Sequence, residues 1–220
     1  MIWDGQYALS ILPALLQALV TTLQLTLGGM VIALVAGLAV AIIRRLQIPV
    51  VSHLFDFYVS FLRGTPLLVQ AYFAYFVLPS AGIRLDAFLT GVIVLGINYS
   101  AYTAEVYRSG IQEVPRGQWE AATALNLSRV VTWKRIILPQ AIFTTVPMLG
   151  NYLIQMFKDS AVLSAIGIIE LLARAQALGS GSFRYLEPLT LAGIIFLVIS
   201  FIASLGVQFL ERRSDRLAAR

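Results

Sequence analysis

The sequence contains no cysteine and only one histidine, His53, in 220 residues. Without cysteine the chain can form no disulfide, iron–sulfur cluster or thiolate zinc site, although this does not fix its compartment. Charge is also scarce, because Asp, Glu, Lys and Arg together make up only 12% of the residues. In soluble domains these four residue types make up about a quarter of the chain. The composition therefore excludes a disulfide scaffold, a disordered tail and a soluble enzyme.

Apolar residues take the place of the missing charge. They make up 59% of the chain, and the mean hydropathy is +0.82. A soluble core of 24.1 kDa has no room for so much apolar surface, whereas a bilayer accommodates it. The composition predicts an all-α integral membrane protein, folded as a single transmembrane domain over residues 1–220.

Five runs without a charged residue are long enough to cross a hydrocarbon core as helix, which takes about 20 residues. They are Gly5–Ile43, Gly64–Ile83, Ala87–Ala104, Ile136–Phe157 and Pro188–Leu210. The first run is too long for one upright helix, so we expect its span to start at Pro13 and to be tilted. The chain is therefore predicted to have about five transmembrane helices.

The basic residues then predict the orientation, because cytoplasmic loops are enriched in Lys and Arg. With the N-terminus outside and the C-terminus in the cytoplasm, eleven of the 16 basic residues are cytoplasmic. These eleven are Arg44, Arg45, Arg108, Arg116, Arg129, Lys134, Arg135, Arg212, Arg213, Arg216 and Arg220. The scattered charges are thus topology signals and do not indicate a nucleic-acid partner.

The stretch Arg63-Gly64-Thr65-Pro66 predicts a break in a helix. Pro66 lacks an N–H and disfavours helix at Thr65, while Thr is a good N-cap and Pro a good first helical residue. Two placements remain open. The break lies near mid-membrane, where transporters place discontinuous helices, or an interfacial helix over 50–62 precedes an ordinary span. His53 is interpreted as an interfacial or packing residue.

Polar residues recur at helical spacing on two of the predicted spans. Asn98, Tyr102 and Glu105 form one such stripe, and the other is formed by Asn151, Gln155, Lys158 and Asp159. Such stripes either hold helices together by hydrogen bonds or line a route for a polar solute. For the adjacent charges Lys158 and Asp159 we favour the solute route, because buried ion pairs are poor stabilisers.

The polar loop at about 108–139 reads as ordered structure. A helix is predicted from Pro115 to Leu125, and Asn126 lies where a left-handed residue would end it. Ser128 can cap a second helix that runs to Leu138, before Pro139 interrupts it. Ala121, Ala122 and Ala124 permit close approach by another protein, and Trp119 offers an anchor. Alternatively, the loop simply folds back on its own helices.

The same loop resembles the EAA motif of ABC importer permeases. The matching residues are Glu120-Ala-Ala-Thr-Ala-Leu-Asn126 and, nine residues later, Ile136-Ile-Leu138-Pro139; Asn126 stands where the motif has Gly. Three further segments resemble the polar amino acid permeases of the histidine/glutamine/arginine type. They are Ser60–Gln70, Ala104–Trp119 and Lys158–Leu163. The resemblance extends from about Leu12 to Arg213.

The resemblance implies a type I ABC importer permease in the bacterial cytoplasmic (inner) membrane. It also implies two cytoplasmic ATPase subunits, a second permease copy or sister permease, and an extracytoplasmic solute-binding protein. The chain itself has no G-x4-G-K-[ST] phosphate loop, so ATP would be bound by the partner and this chain is not expected to be an enzyme. No cofactor or metal is expected in it.

The sequence thus predicts the permease subunit of an ATP-driven importer for polar amino acids or similar zwitterions. The expected ATPase-coupling residues are Trp119, Glu120, Ala121, Ala122, Leu125 and Asn126. The expected solute path comprises Thr65, Asn98, Gln155, Lys158 and Asp159, beside the helix break at Arg63, Gly64 and Pro66. The alternative is a subunit of an ion-gradient-driven carrier or channel, and a membrane-embedded enzyme is a distant third.

Overall fold

The computed structural model describes residues 3–46 and 48–218, with side chains as far as Arg212, so Arg220 lies outside the described part. All regular elements in these ranges are helical. The long helices are α1 (Gly5–Arg45), α2 (Pro49–Gly64), α4 (Ala87–Gln112), α7 (Leu138–Asp159) and α9 (Leu186–Ala218). The shorter helices are α3 (Leu67–Tyr72), α5 (Arg116–Ala124), α6 (Arg129–Thr132) and α8 (Leu171–Ser182).

Four helical segments are long and apolar enough to cross a membrane, namely Gly5–Arg45, Ala87–Gln112, Arg129–Ile166 and Leu186–Arg212. A fifth crossing arises if α2 and the helical segment Leu67–Ala81, which are bent by 105° at a short break, form one span. The predicted all-α membrane fold with about five spans is therefore confirmed.

Two predicted helix boundaries are wrong. The first helix begins at Gly5 and Pro13 lies inside it, because the Asp4 carboxylate caps the helix by accepting hydrogen bonds from the Gln6 and Tyr7 N–H groups. Pro139 does not interrupt the loop helices either. It lies in the first turn of α7, where no N–H donor is required, and a π-helical turn at Trp133–Ile137 leads directly into it.

The most extensive helix packing in the bundle is between α1 and α4. Small residues allow it, since a Cβ added at Gly37 would overlap Thr103, and one added at Gly96 would overlap Ile32. Thr103 also donates a hydrogen bond of 2.7 Å to the Ala33 carbonyl across this contact. Small residues at helix crossings are typical of membrane bundles, because dispersion contacts replace the hydrophobic effect there.

Large apolar side chains cover much of the outside of α1 and α9. On α9, for example, Leu197 and Phe201 are 67% and 59% exposed. In water such a surface would be unfavourable, whereas in lipid it requires no further cover. The outward faces of these helices are thus those expected of a membrane protein.

A charged cluster joins the start of α1 to the start of α9, at the end of the bundle remote from α5. Arg184 donates hydrogen bonds to Asp4 (3.2 Å) and Glu187 (2.6 Å), and its guanidinium lies 5.1 Å from the centre of the Tyr7 ring. Hydrogen bonds from the Tyr7 N–H and from Arg184 lower the pKa of Asp4. This cluster fixes the relative positions of the first and last spans.

Candidate functional site

The helix break lies inside the bundle. Helix α2 ends at Gly64, Thr65 and Pro66 are extended, and α3 begins at Leu67. The Leu62 carbonyl at the end of α2 accepts a hydrogen bond of 3.2 Å from Asn98, which lies near the middle of the long helix α4. This position beside the centre of a spanning helix favours a break within the membrane over an interfacial one.

A cavity of about 380 Å³ opens between this break, the middle of α4 and the end of α7. We call it the solute cavity. Its lining includes four residues predicted for the solute path, Thr65, Asn98, Gln155 and Asp159. It also includes the predicted break residues Arg63, Gly64 and Pro66, together with Leu67, Tyr99, Tyr102 and Tyr152. Residues that are far apart in sequence are therefore brought together here.

Lys158 is the one predicted path residue that is not found in the lining of the solute cavity. Its side chain is exposed, while the side chain of its neighbour Asp159 reaches the cavity. Successive residues of an α-helix point about 100° apart, so two adjacent charges rarely face the same space. Arg63 instead supplies the cation of the cavity.

The amide of Gln70 holds the break together, and sequence analysis missed this residue. Its Nε2 donates hydrogen bonds to Thr65 Oγ1 (2.7 Å) and to the Leu62 carbonyl (3.0 Å), while its Oε1 accepts one from Asn98 Nδ2 (3.1 Å). The carbonyl groups at the end of α2 thereby gain donors that the interrupted helix no longer supplies. Asn98 thus acts partly as the hydrogen-bonding link between helices that was the alternative for the polar stripe.

Three tyrosines form an aromatic wall beside the acid of the solute cavity. Tyr99 donates a hydrogen bond of 2.6 Å to Asp159 Oδ2, and its ring centre lies 5.6 Å from that of Tyr102 and 6.2 Å from that of Tyr152. The guanidinium of Arg63 lies 5.4 Å from the centre of the Tyr102 ring. One acid, one base and the negative faces of aromatic rings can together recognise a charged ammonium group and a carboxylate.

A second cavity, of about 620 Å³, shares Arg63, Gly64 and Tyr102 with the solute cavity and is lined by a network of charges. Arg44 pairs with Asp56 (2.7 Å) and with Glu105, and Glu105 also accepts a hydrogen bond of 2.6 Å from Arg108. The network connects α1, α2 and α4. Glu105, the last member of its polar stripe, is therefore placed in an ion network outside the solute cavity.

The predicted turn of the EAA-like loop is confirmed. Asn126 has a φ of 51°, which is left-handed, and the Leu127 N–H donates a hydrogen bond of 3.0 Å to the Ala122 carbonyl. This closes the end of α5 as a glycine would. Ser128 caps α6 by accepting a hydrogen bond from the Val131 N–H at 3.4 Å.

The two sides of α5 have different surroundings. Ala122 is only 2% exposed, and Trp119 stacks edge-on against Trp133 with ring centres 5.3 Å apart, so these two residues pack on their own chain. Arg45, at the end of α1, lies 4.6 Å from the centre of the Trp133 ring and covers this pair. Glu120, Ala121, Leu125 and Asn126 are exposed. The loop therefore folds back on one side and presents a free surface on the other.

Metal binding receives no support in the described residues, where no group of three or more His, Asp or Glu side chains could hold an ion. His53 lies on the exposed side of α2, where one ring nitrogen contacts the Pro49 carbonyl.

A polar cavity at a broken helix, together with a loop helix exposed on one side, defines the class of membrane transport permeases. Residues 33–216 match the family described as the binding-protein-dependent transport system inner membrane component. The chain belongs to this family.

Known relatives agree with this assignment. The chain is 45% identical to a probable amino-acid ABC transporter permease of Sinorhizobium fredii, over 93% of this chain and 89% of the relative. It is 34% identical to an arginine transport system permease protein of Bacillus subtilis, over 92% and 93%. A solved amino acid ABC transporter with histidines superimposes with a TM-score of 0.92 at 37% identity, covering 97% of this chain and 100% of that one. The chain is therefore a permease subunit of an ABC importer for amino acids.

Proposed function

We propose that this subunit carries polar amino acids through the solute cavity, driven by an ATPase that docks on the exposed surface of α5. The observation that carries the proposal is the pairing of one acid and one base in a single cavity at a helix break. Asp159 and Arg63 both line it, and the remaining lining is aromatic or uncharged. A zwitterion presents one charge of each sign, so it can be desolvated there without leaving a charge unpaired.

The recognition chemistry follows from the free polar groups. Asp159 and the faces of the surrounding tyrosine rings suit the α-ammonium group of an amino acid. Arg63 suits its α-carboxylate, because a guanidinium offers paired donors to both oxygens. The Gln155 amide, for which no hydrogen bond is found among the described residues, is available to a polar side chain. Relatives named as arginine, glutamine and L-cystine permeases support this substrate class.

The energy of ATP hydrolysis would reach the chain at the C-terminal end of α4, through the loop that contains α5. The exposed residues Glu120, Ala121, Leu125 and Asn126 form the proposed ATPase contact, while Trp119 and Ala122 attach α5 to its own chain. Movement of the docked ATPase would therefore move α5 together with the helices that it packs on, and not α5 alone. Binding free energy is converted in this way into alternation between two arrangements of the spans.

The proposal includes the surroundings of the subunit. The single permease domain would lie in the bacterial cytoplasmic membrane with its N-terminus outside and α5 in the cytoplasm, as the distribution of basic residues indicates. A second permease copy or a sister permease would complete the membrane core. An extracytoplasmic binding protein would deliver the solute.

Paired substitutions at adjacent positions test the solute cavity. Asp159→Asn keeps the shape and a partner for Tyr99 but removes the negative charge, so we expect uptake of labelled amino acids to fall by about tenfold or more. Lys158→Gln removes a charge of opposite sign one residue away and outside the cavity, and we expect nearly normal uptake. Equal uptake by the two variants, at equal amounts in the membrane, would contradict the proposal.

Co-purification tests the docking surface independently. The tagged chain, extracted from its native membrane in mild detergent, should bring with it a protein that carries a phosphate-loop ATPase motif. If the wild-type chain brings no such protein in several detergents, and uptake follows an ion gradient instead of ATP, the docking assignment is wrong.

A further inference from the structure

Two cavities meet at a pair of side chains whose role is not explained by the helix break. The solute cavity and the second cavity share three lining residues, Arg63, Gly64 and Tyr102. Asp159 lines only the former, whereas Arg44 and Glu105 line only the latter. Arg63, Gly64 and Tyr102 therefore lie at the boundary between the two cavities.

Arg63 is held in this position by a weak contact. Its guanidinium lies 5.4 Å from the centre of the Tyr102 ring, and no ion pair of Arg63 is found within residues 3–46 and 48–212. The nearby acids are already engaged, because Asp56 pairs with Arg44, and Glu105 pairs with both Arg44 and Arg108. A cation over an aromatic ring is favourable, but it is displaced more easily than a paired guanidinium.

The backbone that follows Arg63 has open space around it, and its hydrogen bonds to other elements come from side chains. Gly64 is the last residue of α2, and a Cβ added to it would meet no atom within 4 Å. Thr65 is extended and ends the helix, so Arg63 is the last but one residue of α2. Residues at the ends of elements are those that absorb the changes in φ and ψ during gating motions.

We infer that Arg63 and Tyr102 form a gate between the solute cavity and the second cavity. The solute would leave the membrane through the second cavity. This inference rests on the proposed function of the solute cavity. In the observed state, the cation–π contact closes the gate. A carboxylate in the solute cavity competes for the Arg63 guanidinium and draws it off the Tyr102 ring, so that the bound solute itself favours opening.

The native absence of cysteine makes the gate directly measurable. A single reporter cysteine is placed in the solute cavity by Gln155→Cys, or in the second cavity by Ser60→Cys. A membrane-impermeant thiol reagent is then added to vesicles from the α5 side, and the rate of modification of this chain is followed by mass spectrometry. Vesicles of the opposite orientation give the rate from the other side.

Because Arg63 is exposed, we expect Arg63→Ala and Tyr102→Leu each to accelerate modification at position 155 from the α5 side by about two- to fivefold, the effect of losing an exposed cation–π contact. Arg63→Lys retains a cation and should accelerate it less. The reporter at position 60 should react at the same rate in all of these backgrounds, which shows that the variants have not simply unfolded.

If the cysteine at position 155 is modified at the same rate with and without the Arg63–Tyr102 pair, the gate is contradicted. This readout needs no solute, so it remains valid if amino acid uptake through the cavity fails its own test. Conversely, the variants at Arg63 and Tyr102 could accelerate labelling as expected while Asp159→Asn leaves uptake unchanged. That result would support the gate and contradict the proposed solute site.

Discussion

The solute cavity and the EAA-like loop differ in where their polar residues lie and in what holds them in place. In the cavity, polar groups lie between long helices, and some are held by other polar groups, as Tyr99 holds Asp159 at 2.6 Å. In the loop, the polar and small residues face outwards, and the helix is held from behind by apolar contacts between Trp119 and Trp133. The cavity thus holds the Asp159 carboxylate in place, whereas the loop leaves one side of α5 exposed, which is the side proposed to contact an ATPase.

This comparison is tested most severely at two neighbouring alanines of the loop. Ala122 is buried against its own chain, so Ala122→Asp places an unpaired carboxylate in an apolar contact, and we expect transport to be abolished. The isolated chain should also lose protection of α5 against proteolysis. From the sequence alone, Ala122→Asp would abolish transport by preventing docking, with insertion and expression intact. The burial of Ala122 means that the substitution also damages the packing of the chain itself.

Ala121→Asp is the matched control, since Ala121 is exposed. We expect this variant to keep the stability and proteolytic resistance of the isolated chain while retaining less ATPase on co-purification. If the two variants behave identically in both measurements, the division of α5 into an attached side and a docking side is wrong.

The cavity is tested by removing one hydroxyl group. Tyr99→Phe deletes the hydrogen bond to Asp159, and hydrogen bonds to charged groups are worth about 1.5–3 kcal/mol. We expect the solute concentration for half-maximal uptake to rise by about tenfold, because the carboxylate is no longer held towards the cavity. Tyr152→Phe removes a hydroxyl from the same wall without removing a described bond to Asp159, and it should change uptake much less.

A smaller effect is expected at the turn that ends α5. Asn126 has φ 51°, where a β-branched residue is strained, so Asn126→Val should lower the free energy of unfolding of the loop by about 1–2 kcal/mol. Asn126→Gly should leave it unchanged or raise it slightly. Hydrogen exchange of the amides of α5 measures both, and equal exchange in the two variants would show that the turn does not hold the helix.

The smallest expected effect belongs to Arg45, which covers the indole pair from the end of α1. Its guanidinium lies 4.6 Å from the centre of the Trp133 ring, and exposed contacts of this kind contribute about 0.5–1 kcal/mol. Arg45→Gln should therefore raise the amount of ATP hydrolysed per solute transported by a modest factor. Arg45→Lys should restore the ratio, because it returns a cation to the rings.

Features that depend on residues adjacent in the sequence were predictable from the sequence. The break at Thr65 and Pro66, the cap at Ser128 and the left-handed turn at Asn126 all follow from the conformational limits of a few residues. The five apolar segments were equally accessible, because lipid imposes a minimum length on a helix that crosses it.

Features that depend on which helices become neighbours were not predictable. Adjacent charges at 158 and 159 suggested a joint site, but the helical rotation between them places only Asp159 in the cavity. The cation comes from Arg63, and the hydrogen bonds that hold the break come from Gln70, residues whose partners lie on other elements or across the break. Nor does a small side chain such as Ala122 reveal whether its own chain or a partner covers it.

The glycine-mediated packing of α1 against α4 also has a consequence for biogenesis. Gly37 and Gly96 allow the two helices to touch so closely that neither surface is completed by lipid chains. During synthesis α1 leaves the ribosome first, and its partner follows only after the whole of α2 and α3. The first span is therefore synthesised before the helix that fits against it at Gly37, and this contact can form only after α4 has been made.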